Sequence, residues 1–147
     1  MRRRRLTPAR YPDIVVKRFP KEFPPGEGPE GVVRLVNRLL PQLLDGDHPA
    51  LVILREQLQR SHLGVITLSG VGFFADINVP IDALKVDPPN ITGGHATIEL
   101  SNVKHDAGCV LFVRDGHLSV LEGYTYGDEW SEDTAVVAVK DVTPILP

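Results

Sequence analysis

The chain has 147 residues, 42% of them hydrophobic and 24% charged, the composition of one globular domain able to bury its own core. None of its apolar runs approaches the ~20 residues that a membrane-crossing helix needs, and its single cysteine, Cys109, excludes an intrachain disulfide. A formal net charge of −3 conceals two unlike halves: 12 Lys/Arg against 7 Asp/Glu over residues 1–60, and 4 against 12 over residues 61–147, or +5 and −8.

The first 28 residues combine Arg2 to Arg5 with five prolines and two glycines, leaving regular structure little foothold. They are expected to form a basic, proline-rich, flexible arm, mobile or extended, with at most a short edge strand over 13–19. The apolar run Ile14 to Val16 is too short for the core of a signal peptide, so the expected location is the cytoplasm. A lone cysteine agrees with a reducing compartment.

From residue 29 to 147 the pattern is that of a single α+β domain. Val32, Leu35, Val36, Leu39, Leu40, Leu43 and Leu44 recur at the three-and-four spacing of an amphipathic helix. Pro41 lies inside that stretch and predicts a kink or break near Leu40. Asp45-Gly46 ends it, and Asp47-His48-Pro49 opens a second helix, striped by Leu51, Leu54 and Leu58, to about Arg60. The short connection predicts an antiparallel helical hairpin.

Beyond His62 the apolar period drops to two. Ile66 and Leu68 precede Ser69-Gly70, and Val71, Phe73, Ala75, Ile77 and Val79 follow, as in a hairpin that pairs Leu68 with Val71. A long loop is expected over 81–94, then a half-buried strand through Ala96, Ile98 and Leu100. The strongest turn signal is Asp115-Gly116 between two apolar runs, because a type I′ turn needs positive φ at both central residues. Such a turn sets Val113 opposite Leu118, Leu111 opposite Val120 and Cys109 opposite Glu122, with Phe112 and Val110 on the other face. Both faces are apolar near the middle, which predicts helices on one side and at least partial cover on the other. Ala135 to Val139 supplies a last strand. Helices followed by strands predict a helical hairpin packed on an antiparallel sheet of about five to six strands.

The stretches GVGFFADINVP at 70–80 and VLFVRDGHLSVLEGYTYGDEW at 110–130 resemble a family of small bacterial proteins of unknown function. The resemblance covers roughly residues 45–132. It implies a compact cytosolic domain of helices followed by a sheet, and it implies no activity.

Candidate chemistry is sparse. His95, His105, Asp106, His117 and Glu122 form the pool of metal ligands, but their spacing follows no zinc or iron pattern, so no metal and no cofactor is expected. Cys109 near His105 invites a thiol nucleophile, yet its place beside Leu111 and Val113 makes it a core residue. Gly70-Val71-Gly72 and Gly93-Gly94 lack the helix and lysine of a phosphate loop. Arg2 to Arg5 stand without a nucleic-acid recognition motif. Glu122, Tyr124, Tyr126, Asp128, Glu129 and Trp130 are the most suggestive group, read either as aromatic side chains ringed by carboxylates in a steered protein-binding surface or as a loop in which Trp130 folds back to cap the sheet and the acids keep it soluble.

Two function classes follow. One is a non-enzymatic interaction module, of immunity or regulatory type, that presents this surface to a basic protein partner. The other is a small-ligand binder or hydrolase-like enzyme with Glu122 and a histidine, His95 or His117, in a pocket beside the central hairpin. A homo-oligomer, with the basic arm of one copy on the acidic half of another, is compatible with either.

Overall fold

The computed structural model describes residues 19–146. In chain order its elements are β1 (Lys21–Glu22), α1 (Glu30–Leu43), α2 (Pro49–Arg60), β2 (His62–Leu68), β3 (Gly72–Asn78), β4 (Ile91–Gly93), β5 (His95–Leu100), β6 (Ala107–Arg114), β7 (His117–Tyr124) and β8 (Val136–Thr143). All eight strands join one antiparallel sheet in the order β1-β2-β3-β7-β6-β5-β8, with β4 also paired to β6. The fold is thus α+β with an antiparallel sheet, larger than the expected five to six strands. β1 and β4, of two and three residues, are too short to leave a period in the sequence.

The inner sheet face and both helices share one core. Val32, Leu35, Val36, Leu39, Leu40 and Leu43 of α1 and Leu51 and Leu54 of α2 meet Ile66, Leu68, Phe73, Ala75, Leu111 and Leu121. Each such aliphatic side chain contributes roughly 1.5–3 kcal/mol through burial. The helices do not pair along their lengths as the expected hairpin would. α1 lies against β8 and α2 against β7, so each covers its own part of the sheet. Pro41 does not end α1, which runs on to Leu43. It sits in the last turn, where its missing N–H forfeits one bond, that to the Asn37 carbonyl, and the helix closes through Leu44 N to Pro41 O at 3.3 Å. Arg55 then donates to the carbonyls of Leu44 at 2.6 Å and Gly46 at 3.1 Å, satisfying acceptors left open at that end. His48 caps α2, its Nδ1 accepting from Ala50 N at 3.0 Å with Pro49 in the first turn. Among the described residues no helix is long and apolar enough to cross a membrane.

Residues 1–18 of the expected arm lie outside the described residues. Residues 19–28 do not stand away from the domain: Lys21 pairs with Leu68 and Glu22 with Thr67, while Phe19 and Phe23 pack on the core.

The central hairpin turns at Asp115-Gly116 as expected, whereas the first turns one residue later than the expected Ser69-Gly70, and both registers are altered. Ser69 N bonds Gly72 O at 3.0 Å, so Gly70 and Val71 are the central residues and Leu68 pairs with Phe73. Gly70 supplies the positive φ of 105° that the first central position of a II′-like turn requires. The shift from the expected pairing is two residues, an even number, so Phe73, Ala75 and Ile77 still face the core. Only Val71 leaves that face and stands 48% exposed at the turn.

In the central hairpin Asp115 and Gly116 take φ of 51° and 83°, and Val113 pairs with Leu118 as expected. The ladder then slips by one residue between Val113 and Phe112. Phe112 pairs with Val120, Leu111 with Leu121, Val110 with Glu122 and Cys109 with Gly123. The expected pairing of Cys109 with Glu122 is therefore corrected: the two residues point to opposite faces.

The turn itself is clamped from below. Buried Gln57 donates to Gly116 O at 2.8 Å and Leu84 O at 2.7 Å and accepts from Leu118 N at 2.9 Å. The loop before β4 adds Gly116 N to Pro89 O at 2.7 Å and Val86 N to Gly116 O at 3.0 Å. Replacing Gln57→Leu strands the buried Leu118 N–H and takes a donor from the part-buried Leu84 carbonyl, which should cost about 1–3 kcal/mol. Urea unfolding should show a lower midpoint at unchanged slope; a loss below about 0.5 kcal/mol would mean that the clamp contributes nothing.

Candidate functional site

The sheet has a second face, turned away from the helices. Its composition follows from the registers. One cross-strand row runs Glu22, Thr67, Phe74, Glu122, Val110. The next runs Asp76, Val120, Phe112, Thr92, and a third runs Tyr124, Gly108, Thr97, Lys140. Among the described residues the buried stripes of both helices belong to the core on the other, inner face. Phe74 is 40% exposed, and Val110, Phe112, Val120, Glu122 and Tyr124 are half-buried only by their neighbours in the sheet.

Aromatic side chains shape this face. The Tyr124 ring lies across Gly108, where a Cβ would stand 2.7 Å from the Tyr124 hydroxyl, so the glycine is a space requirement. Tyr126, 65% exposed, meets Tyr124 edge to face at 5.8 Å. Burial, and then the neighbouring Tyr126, push the Tyr124 hydroxyl above its ordinary value. The Arg114 guanidinium stacks over Phe112 at 4.7 Å. Glu122 stands between Phe74 and Val110 with no ion pair among the described residues. Burial, followed by repulsion from Glu22, raises the Asp76 carboxyl.

The acidic loop after β7 does not continue the strand. Thr125 N bonds Val71 O at 2.8 Å and Trp130 N bonds Gly70 O at 3.0 Å, so the chain doubles back over the β2–β3 turn. Trp130 consequently enters the core and is 0% exposed, its ring edge on Phe73 at 5.1 Å and 82°. Of the two readings open for Trp130, an exposed anchor or an indole folded back on the sheet, the structure has the second: a ring with no accessible surface cannot be presented to a partner. Gly123 makes room for the Phe73 ring, which a Cβ would meet at 2.2 Å. Asp128 is tied down as well, accepting from Lys104 N at 3.1 Å. Of the six residues singled out in the sequence, Glu122, Tyr124 and Tyr126 lie together on the outer face, Asp128 and Glu129 lie on the adjoining loop, and Trp130 lies beneath it. Phe74, Val110, Phe112 and Val120 belong to the surface and were not singled out. Their signal was the adjacency of Phe73 and Phe74, one of which must face outward.

The histidines do not join Glu122. His117 Nε2 meets Ala83 O at 2.9 Å, five residues and roughly 16 Å along β7 from Glu122. His95 is two strands away, with β6 between, at about 10 Å. A shallow 650 Å³ hollow beside the hairpin turn is lined by Asp76, Asn78, Lys85, Arg114 and His117, and Glu122 is not part of it. Asp106 forms an ion pair with Lys140 at 3.2 Å. Among the described residues no three His, Cys, Asp or Glu side chains converge as metal ligands.

No family model, no curated protein and no solved structure matches the chain.

Two measurements check this geometry. Trp130→Ala should lower stability by about 3–5 kcal/mol, as loss of a fully buried aromatic does; a nearly unchanged thermal midpoint would place the indole outside the core. Burial also pushes the Cys109 thiol up to about 11 from 9.0, with an Ala96 backbone hydrogen bond acting in the opposite sense. A raised thiol means that the fold retains the neutral form. Its stabilisation is complete below pH 9 and is lost as the pH rises toward 11. Relative to Cys109→Ala, the native chain should lose stability across that window in chemical unfolding, and parallel curves would refute the assignment.

Proposed function

We propose that this protein is a non-enzymatic interaction module whose outer sheet face receives an extended, basic segment of a partner protein. The observation that supports it is the open face itself: Phe74, Val110, Phe112 and Val120 form an apolar floor around Glu122, beside the Tyr124–Tyr126 pair. Contiguous apolar surface of this kind marks binding sites in soluble proteins. An extended chain laid on a sheet alternates its side chains, so apolar residues can meet the floor while arginine or lysine reaches Glu22, Asp76 and Glu122. The loop acids Asp128, Glu129 and Asp133 extend the negative field at one end and favour fast, salt-sensitive association. In this reading Phe74 and Tyr126 take the anchoring role that Trp130 would have held.

The test is binding of an alternating arginine-valine peptide, with its glutamate-valine counterpart as control, by fluorescence anisotropy at two salt concentrations. The basic peptide should bind and the acidic one should not. Phe74→Ala should weaken the complex by about 1–2 kcal/mol, while Glu122→Gln should mainly slow association and flatten its salt dependence. Equal binding of both peptides, or indifference to Phe74→Ala and Tyr126→Ala, would refute the proposal.

A further inference from the structure

We infer that Tyr124, Tyr126, Phe74 and Glu122 form an aromatic cage on the outer face, fitted to the trimethylammonium group of a methylated lysine in the partner segment. The inference rests on the reading of the outer face as a receptor for an extended basic chain and adds which cation that chain presents at this point. Geometry, charge and hydration carry it.

The two tyrosines set the corner of the cage. The Tyr124 ring spreads over Gly108, where a Cβ would meet its hydroxyl at 2.7 Å, its Cζ at 2.8 Å and its Cε1 at 3.0 Å. Three atoms at nearly equal distance put that end of the ring flat above the β6 backbone, with its other face turned outward. Tyr126 stands across it at 88°, with ring centroids 5.8 Å apart, and is 65% exposed. Perpendicular rings at that separation bound a corner in which one cation lies within about 6 Å of both centroids, the range over which the ring quadrupole attracts it. Phe74, 40% exposed, pairs with Glu122 and is therefore the diagonal cross-strand neighbour of Tyr124, at about 7–8 Å, within reach of an aromatic side chain. Thr125, between the two tyrosines, is pinned to Val71 O by its N at 2.8 Å and its Oγ1 at 3.0 Å, so the corner is formed before a ligand arrives.

The corner has an anion beside it. Glu122 precedes Tyr124 by two residues on the same face, about 7 Å along the strand, and forms no ion pair among the described residues. The cations of this face are engaged elsewhere: Arg114 stacks on Phe112 and Lys140 pairs with Asp106.

Hydration selects the form of the cation. An unmodified lysine ammonium is compact and strongly hydrated and carries three N–H donors. Entering the corner strips water from those donors, and Glu122 and the phenol oxygens replace it only in part. A trimethylammonium has no N–H to leave unsatisfied. It spreads its charge over three methyl groups, lays apolar surface on the rings and keeps its attraction to Glu122.

The probe is the alternating arginine-valine peptide with its central residue replaced by lysine, by trimethyllysine or by the uncharged carbon isostere of trimethyllysine, which ends in a tert-butyl group. Anisotropy should show trimethyllysine binding on the order of tenfold more tightly than lysine, and severalfold more tightly than the isostere. Tyr126→Leu, at an exposed position, should leave the thermal midpoint unchanged and abolish that preference, and Tyr126→Phe should retain it. Equal affinities for lysine and trimethyllysine would overturn the cage and leave the surface reading intact. An isostere as tight as trimethyllysine would reduce the corner to plain apolar contact and overturn the cage as well, as would a preference that survives both Tyr126→Leu and Phe74→Leu. Failure of every peptide to bind would overturn both readings. Free choline supplies the last arm: it should displace the trimethyllysine peptide only in large excess, and displacement at concentrations equal to the peptide would assign the corner to a free quaternary amine and refute a peptide-borne lysine.

Discussion

Between Phe112 and Val113 the ladder of β6 and β7 absorbs one extra residue from β7, and the character of both sheet faces depends on that slip. Leu118 and Leu121 are both buried, yet they are three apart, an odd separation that a regular strand cannot place on one face. Without the bulge Leu121 would point outward and Glu122 inward beside Cys109, taking a carboxylate out of water at a cost of several kcal/mol. A local disruption of the ladder avoids that burial. The bulge thereby delivers Val120, Glu122 and Tyr124 to the outer face, where Phe74, Val110 and Phe112 already stand.

A bulge is useful for recognition only if its surroundings hold still. Here both ends of β7 are tied. At the turn, Gln57 and the loop before β4 bind the backbone of Gly116 and Leu118. At the far end Thr125 and Trp130 are bonded to the β2–β3 turn, and Trp130 is wedged against Phe73. Tyr124 and Tyr126 are thus presented from a strand fixed at two points, which lowers the ordering cost of any complex they enter. Trp130 contributes to such a surface by supporting it.

The two sheet faces divide their labour by chemistry. The inner face is almost wholly aliphatic and aromatic and is closed by helices that each cover a different part of it. The outer face sets apolar side chains among Glu22, Asp76 and Glu122, a mixture too polar for a core and too apolar for an ordinary wet surface. Glu22, Asp76 and Glu122 stand on this face, while Glu132 and Asp133 line a hollow against α1.

The sequence alone determined what short-range periodicity and turn chemistry can express. The stripe of α1, the Asp115-Gly116 turn, the pairing of Val113 with Leu118 and the burial of Ala96, Ile98 and Leu100 were all legible, because each depends on neighbours a few residues away. Glu122, Tyr124 and Tyr126 were legible as a group for the same reason. The tertiary structure alone decided the register beyond the bulge, the two short strands β1 and β4, the separation of the helices and the inward turn of Trp130. Those outcomes rest on hydrogen bonds and packing between residues tens of positions apart, such as Gln57 with Leu118 and Gly70 with Trp130, which no local pattern encodes.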